Sequence, residues 1–111
     1  MNTIKSVNEV LDKEIKVMED RKKLLILTKN LYKAIRECKE LEGCEICLQD
    51  IPGNIYSAIE IWNKNLRRVL VEPSITSIEV SSYLSNKRKI IEWVNSETTT
   101  EEVLETIKSY L

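Results

Sequence analysis

The sequence predicts an all-α fold: a single domain over residues 1–111, bundle-like, of four to five helices, its long N-terminal helical region broken near residues 20–23. Three observations predict it. Apolar side chains recur every three to four positions through most of the chain. Only two glycines and two prolines occur, too few to punctuate an all-β protein with turns. Hydrophobic residues make up 42% and charged residues 32%, the balance of a soluble helical domain with its own core rather than of a disordered chain.

The first helical region runs from about Thr3 to Glu42. Ile4, Val7, Leu11, Ile15 and Met18 form one stripe, supported by Asp12 with Lys16 and Glu19 with Lys23 at i,i+4 spacing. From Leu24 a stricter seam begins. Leu24, Leu27, Leu31, Ala34, Cys38 and Leu41 follow the 3-4 alternation of a coiled coil. The two stripes do not share a register, and Asp20-Arg21-Lys22-Lys23 lies at the mismatch. Forty helical residues would span about 60 Å, so a break there is expected. Gly43 ends the region as a left-handed cap.

Asp50, Pro52, Gly53 and Asn54 read as turn and cap residues. Ile55, Ile59, Trp62, Leu66, Val69 and Leu70 give the next helical stripe, stopped by Pro73. Ser74 caps a third region carrying Ile75, Ile78, Val80, Leu84, Ile91 and Val94, with an interruption at Ser85-Asn86. Thr98 and Thr99 each begin an S/T-x-x-E capping box, opening a final helix with Val103, Leu104, Ile107 and Leu111.

The composition excludes much chemistry. Histidine is absent, which removes Ser-His-Asp and Cys-His nucleophilic systems and the usual near-neutral general base. Neither G-x-G-x-x-G nor G-K-[ST] appears, so no phosphate-cradling loop is read. No small-molecule substrate or catalytic residue is evident, and the expectation is a protein that is not an enzyme. The net charge of −1 gives no whole-molecule field toward nucleic acid or acidic lipid. With no signal peptide and no membrane span in the pattern, a cytoplasmic location with reduced cysteines is expected.

Cys44-Glu45-Ile46-Cys47 is the one cluster at metal-ligand spacing, with Cys38 upstream. Cys44 through Ile51 resembles the opening of a RING finger, but the later Cys/His ligands of that family are missing. The same segment is similar to the zinc hook of the long coiled-coil DNA-repair ATPases, without the proline and glycine usual in that motif. That resemblance implies Cys44 and Cys47 as ligands of a zinc shared between two chains. The bland alternatives are a buried apolar Cys38 and two loop thiols.

Ser77 to Leu84 followed by Lys87 to Val94 resembles a helix-turn-helix, with Ser85 in place of the turn glycine. The resemblance implies DNA binding through Lys87, Arg88 and Lys89 at the start of a recognition helix. Trp62 and Trp93 both fall on apolar stripes and read as core anchors rather than exposed stacking platforms.

The function expected first is a small non-catalytic protein–protein interaction or assembly module: an adaptor, inhibitor, immunity-type protein or complex subunit. It would act through a helical face, toward a protein partner or a second copy, with Leu24, Leu27, Leu31, Cys38 and Leu41 as the contact seam. The alternative is a helix-turn-helix DNA-binding regulator using residues 77–94. No resident cofactor is expected beyond the shared zinc.

Overall fold

In the computed structural model, which describes residues 3–50, 57–82 and 86–111, the middle of the chain is a sheet rather than helices. A long helix α1 (Thr3–Glu37) and a 3-10 turn (Lys39–Leu41) lead into five strands: β1 (Glu45–Asp50), β2 (Ser57–Trp62), β3 (Arg68–Pro73), β4 (Ser77–Ser82) and β5 (Lys87–Glu92). A second helix, α2 (Ser96–Tyr110), closes the chain. The strands pair in sequence order, each antiparallel to the next. The fold is α+β, not an all-α bundle.

The reason lies in a second period. Ile59 and Ile61, Val69 and Val71, and Ile78 and Val80 recur at every second residue, with Glu60, Leu70 and Glu79 between them, which places them on one face of a pleated sheet. They are β-branched, which suits a strand and disfavours a helix. The stripe through Ile59, Trp62, Leu66 and Val69 matches a helical period only by coincidence. The register sets Ile59 opposite Val71, Ile61 opposite Val69, and Val71 opposite Val80. Pro73 ends β3 instead of stopping a helix.

Few glycines are needed because other residues make the turns. In the β2–β3 hairpin, Asn63 Oδ1 accepts from the backbone N–H groups of Asn65 and Arg67, and Leu66 takes a φ of 61°. That left-handed conformation costs a leucine about 1 kcal/mol. Asn86 supplies a φ of 53° before β5. Gly43, at φ 90°, turns the chain from the 3-10 turn into β1. The turn expected at Pro52, Gly53 and Asn54, and the apolar positions Ile55 and Leu84, lie outside the described residues.

Both helices cover the same face of the sheet. The C-terminal part of α1 lies over β2 and β3, and α2 lies over β4 and β5. Leu31, Ile35, Val103 and Ile107 meet Ile59, Ile61, Val69, Val71, Ile78, Val80 and Ile91 in one core, all fully or nearly fully buried. α2 is capped three residues before the first capping box. Asn95 is its N-cap, accepting from the Thr98 N–H at 2.9 Å, while Thr99 Oγ1 accepts from the Val94 N–H.

No break occurs at residues 20–23. α1 is continuous over 35 residues, about 52 Å. The body beneath it cannot cover that length, so the helix projects. The radius of gyration is 17.0 Å and the long dimension 64 Å, against a radius of about 13 Å for a compact chain of this size. The register mismatch marks where α1 leaves the sheet, not where it ends.

Candidate functional site: the projecting half of α1

α1 has two faces with different fates. Leu24, Thr28, Leu31 and Ile35, at four-, three- and four-residue steps, are buried against the sheet. Thr28 also returns its hydroxyl to the Leu24 carbonyl at 2.8 Å, so it brings no unpaired polar group inside. Before Leu24, every side chain from Ser6 to Glu19 is exposed. Val7, Leu11, Ile15 and Met18 stand there at 52%, 54%, 52% and 69% exposure, and Ile26 extends the same stripe at 50%. This stripe is turned roughly 140° around the helix from the core-facing one.

Large apolar side chains scattered singly on a surface mean nothing. Five in one line along about 30 Å of helix form a contiguous patch, of the size that marks interaction surfaces. A helix of this length gains little stability in water by itself. Acids and bases are mixed over the remaining surface, Glu9, Asp12, Glu14, Glu19 and Asp20 with Lys13, Lys16, Arg21 and Lys23, and Lys22 falls in the stripe itself between Met18 and Ile26. Lys16 and Asp20 pair at 3.3 Å. An interfacial membrane helix instead concentrates basic residues on its polar face.

The seam expected to meet a partner has a different position. Leu24, Leu31 and Leu41 are buried in the chain's own core, while Leu27 and Cys38 are partly buried. The same mismatch that suggested a break separates this internal seam from Val7, Leu11, Ile15, Met18 and Ile26. Val7, Leu11, Ile15 and Met18 were readable as a stripe but not as the exposed one, and Ile26 was not read as part of it.

The segment compared with a helix-turn-helix is the β4–β5 hairpin. The resemblance fails because residues 77–82 and 87–92 alternate across a sheet. Lys87 and Lys89 point to the helical side, where Lys87 lies 5.9 Å from the Tyr110 ring centroid and Lys89 pairs with Glu102 at 3.1 Å. Arg88 points to the other side and pairs with Glu79. The three charges therefore do not form one surface. On the last strand of an open sheet they discourage another edge from pairing with it.

The cysteines do not converge either. Cys44 packs with Cys38 against the core, and Cys47 belongs to the opposite, outward face of β1. The Cys38 thiol is pushed up by burial, and further by its 3.0 Å hydrogen bond to the Glu40 carboxylate, which keeps it protonated. Accepting that bond lowers Glu40 in turn. All three cysteines are free. Among the described residues, no group of three or more Cys, Asp or Glu is placed to hold a metal ion.

The outward face of the sheet carries a polar network. Trp62 donates its indole N–H to Glu60, whose other carboxylate oxygen pairs with Arg68 at 3.3 Å. The Arg68 guanidinium also lies over the Trp62 ring, 5.8 Å from its centroid. A shallow hollow of about 560 Å³ beside it is lined by residues including Cys47, Glu60, Trp62 and Leu66. Of the two carboxylates that line it, Glu60 is engaged by Trp62 and Arg68, and Glu45 accepts a long 3.9 Å hydrogen bond from the Cys47 thiol. Glu72 faces Glu79 directly across β3 and β4. Burial and then the Glu79 charge push Glu72 up, against the pull of Arg68 and Arg88.

Glu72 titrates higher in the fold than in the unfolded chain, so its negative charge opposes folding. That opposition is absent below the ordinary glutamate range and complete above the raised folded value. Glu72→Gln is therefore expected to stabilise the neutral protein by roughly 0.2–1 kcal/mol, solvent screening included. The gain should vanish in acid, as read from urea midpoints across pH.

No family model, no curated protein sequence and no solved structure matches this chain. Among the described residues, no helix is long and apolar enough to cross a membrane.

Proposed function

We propose that this protein is a non-catalytic interaction or assembly module whose docking element is the projecting half of α1. One observation carries the reading: an unbroken helix holds Val7, Leu11, Ile15, Met18 and Ile26 in a single exposed stripe beyond the reach of its own sheet. The small α+β body serves as the anchor that fixes this helix in space. Its core-facing half is immobilised by Leu24, Leu31 and Ile35, so the docking half is presented in a set direction. The mixed charges beside the stripe favour a protein surface over a lipid or nucleic-acid one.

A photo-crosslinking amino acid placed at Leu11 in cells tests this. The expected result is a discrete protein adduct, absent when the same group replaces Lys13 on the opposite side of the helix. Adducts of equal yield at both positions, or adducts only to lipid or nucleic acid, would refute it.

A further inference from the structure

We infer that the occupant of the α1 stripe is the α1 stripe of a second copy, paired antiparallel about a two-fold axis between Lys16 and Val17. This rests on the reading of α1 as a docking helix and names its partner. The spacing supports it. Val7, Leu11, Ile15, Met18, Lys22 and Ile26 follow steps of four, four, three, four and four, a sequence that reads the same from either end. Two such helices laid head to tail bring Val7 of one copy to Ile26 of the other, Leu11 to Lys22, and Ile15 to Met18. Every member of the stripe then has a counterpart at its own level, as a self-complementary two-fold interface requires. The repeat of eleven residues over three turns keeps the stripe nearly straight, so the pairing persists along the helix.

The charges beside the stripe have matching polarity. Of the charged residues that flank it, Asp12 and Glu14 lie on the outer part and Arg21 and Lys23, with Glu19, on the inner part, while Glu9, Lys13, Lys16 and Asp20 are turned toward the far side of the helix. Antiparallel pairing sets Glu14 near Arg21 of the other copy on one flank, and Asp12 between Lys23 and Glu19 on the other, each contact occurring twice. Parallel pairing would align the basic segments with each other. The inner end of the stripe is concave, a hollow of about 300 Å³ lined by Glu19, Lys22, Lys23, Ile26 and Leu27. Residues 19, 22, 23 and 26 have the spacing of a socket for a side chain from a facing helix, at the level Leu11 reaches.

Size and shape agree. Six side chains per copy, on the order of 100 Å² each, would bury about 1,200 Å² in total, the lower end of specific interfaces. The two sheet bodies fall at opposite ends of the helix pair and do not collide, because the core-facing side of α1 points away from the stripe. Lys22 lays its aliphatic stem against Leu11 and keeps its ammonium in water. The polar head in an apolar seam weakens the pair while fixing its register.

Sedimentation of the purified full chain between about 1 and 100 µM should show a monomer–dimer equilibrium. Leu11→Glu combined with Met18→Glu should weaken dimerisation at least about tenfold, with the helix and sheet signals by circular dichroism retained. Orientation is read by disulfide trapping in chains whose Cys38, Cys44 and Cys47 are serine. A mixture of Leu11→Cys and Lys22→Cys chains should cross-link as the mixed pair. Monomer at every concentration, a dimer untouched by the glutamates, or cross-linking of like with like would overturn the inference. A monomer that still gives a discrete heterologous adduct from Leu11 in cells would overturn it while leaving the docking helix standing.

Discussion

Leu31→Ala is expected to destabilise the protein by about 3 kcal/mol, lowering the thermal midpoint by roughly 15 °C, whereas Leu11→Ala should leave the monomer within about 0.5 kcal/mol of the parent. Both leucines lie on α1, and both lie on apolar stripes of helical period. Their surroundings differ. Leu31 is 1% exposed and packed with Ile35, Val103 and the sheet valines and isoleucines. Truncating it leaves a cavity that two helices and a sheet cannot easily collapse, because the β-branched side chains below have fixed rotamers. Leu11 is 54% exposed, in a stretch of α1 where every side chain from Ser6 to Glu19 is exposed. Urea unfolding at concentrations below dimerisation separates the two. A Leu31→Ala protein of unchanged stability would mean that the inner seam is not core, and that the partner surface belongs on it after all.

The contrast shows what a sequence pattern can and cannot specify. Periodicity marks the apolar side of a rod, and both stripes of α1 were legible on that basis. It does not say what covers each side. The mismatch at Asp20 to Lys23 was visible, but a break and a change of partner write the same signal. Only the missing length of body beneath residues 6–23 decides between them.

The sheet was hidden for a different reason. Ile59, Trp62, Leu66 and Val69 satisfy a helical spacing, and the residues that contradict it, Ile61 and Val71, add a period of two on top. Weighing the β-branched content of residues 59–91 would have favoured strands. The absence of glycine argued the other way. Here Leu66 and Asn86 adopt positive φ themselves, a cost the surrounding ladder tolerates. α2 was readable from Val103 and Ile107, although its start was not. The N-cap is Asn95, and Thr98 and Thr99 lie inside the first turn.

Trp93→Ala is expected to cost about 3 kcal/mol, and Trp62→Ala less than about 1 kcal/mol, although both indoles sit at partly buried positions. Trp93 packs against the hydrophobic core and donates its indole N–H to the Ser74 carbonyl at 2.9 Å. Its own backbone N–H reaches the Thr76 carbonyl, so one residue ties the β3–β4 turn to the end of β5 and the start of α2. Trp62 is on the outward face, held by Glu60 and Arg68 at a site that water reaches. Its loss leaves the Glu60–Arg68 pair in place. Trp93→Phe separates the two contributions of Trp93. The ring remains in the core, the Ser74 carbonyl loses its donor, and the expected cost falls to about 1 kcal/mol. Urea titrations followed by circular dichroism measure all three without relying on the fluorescence of the residue removed. Equal losses at Trp62 and Trp93 would mean that the outer face of the sheet is buried as deeply as the inner one. In that case a partner, or residues beyond those described, would have to cover it, and α1 would not be the chain's principal exposed apolar surface.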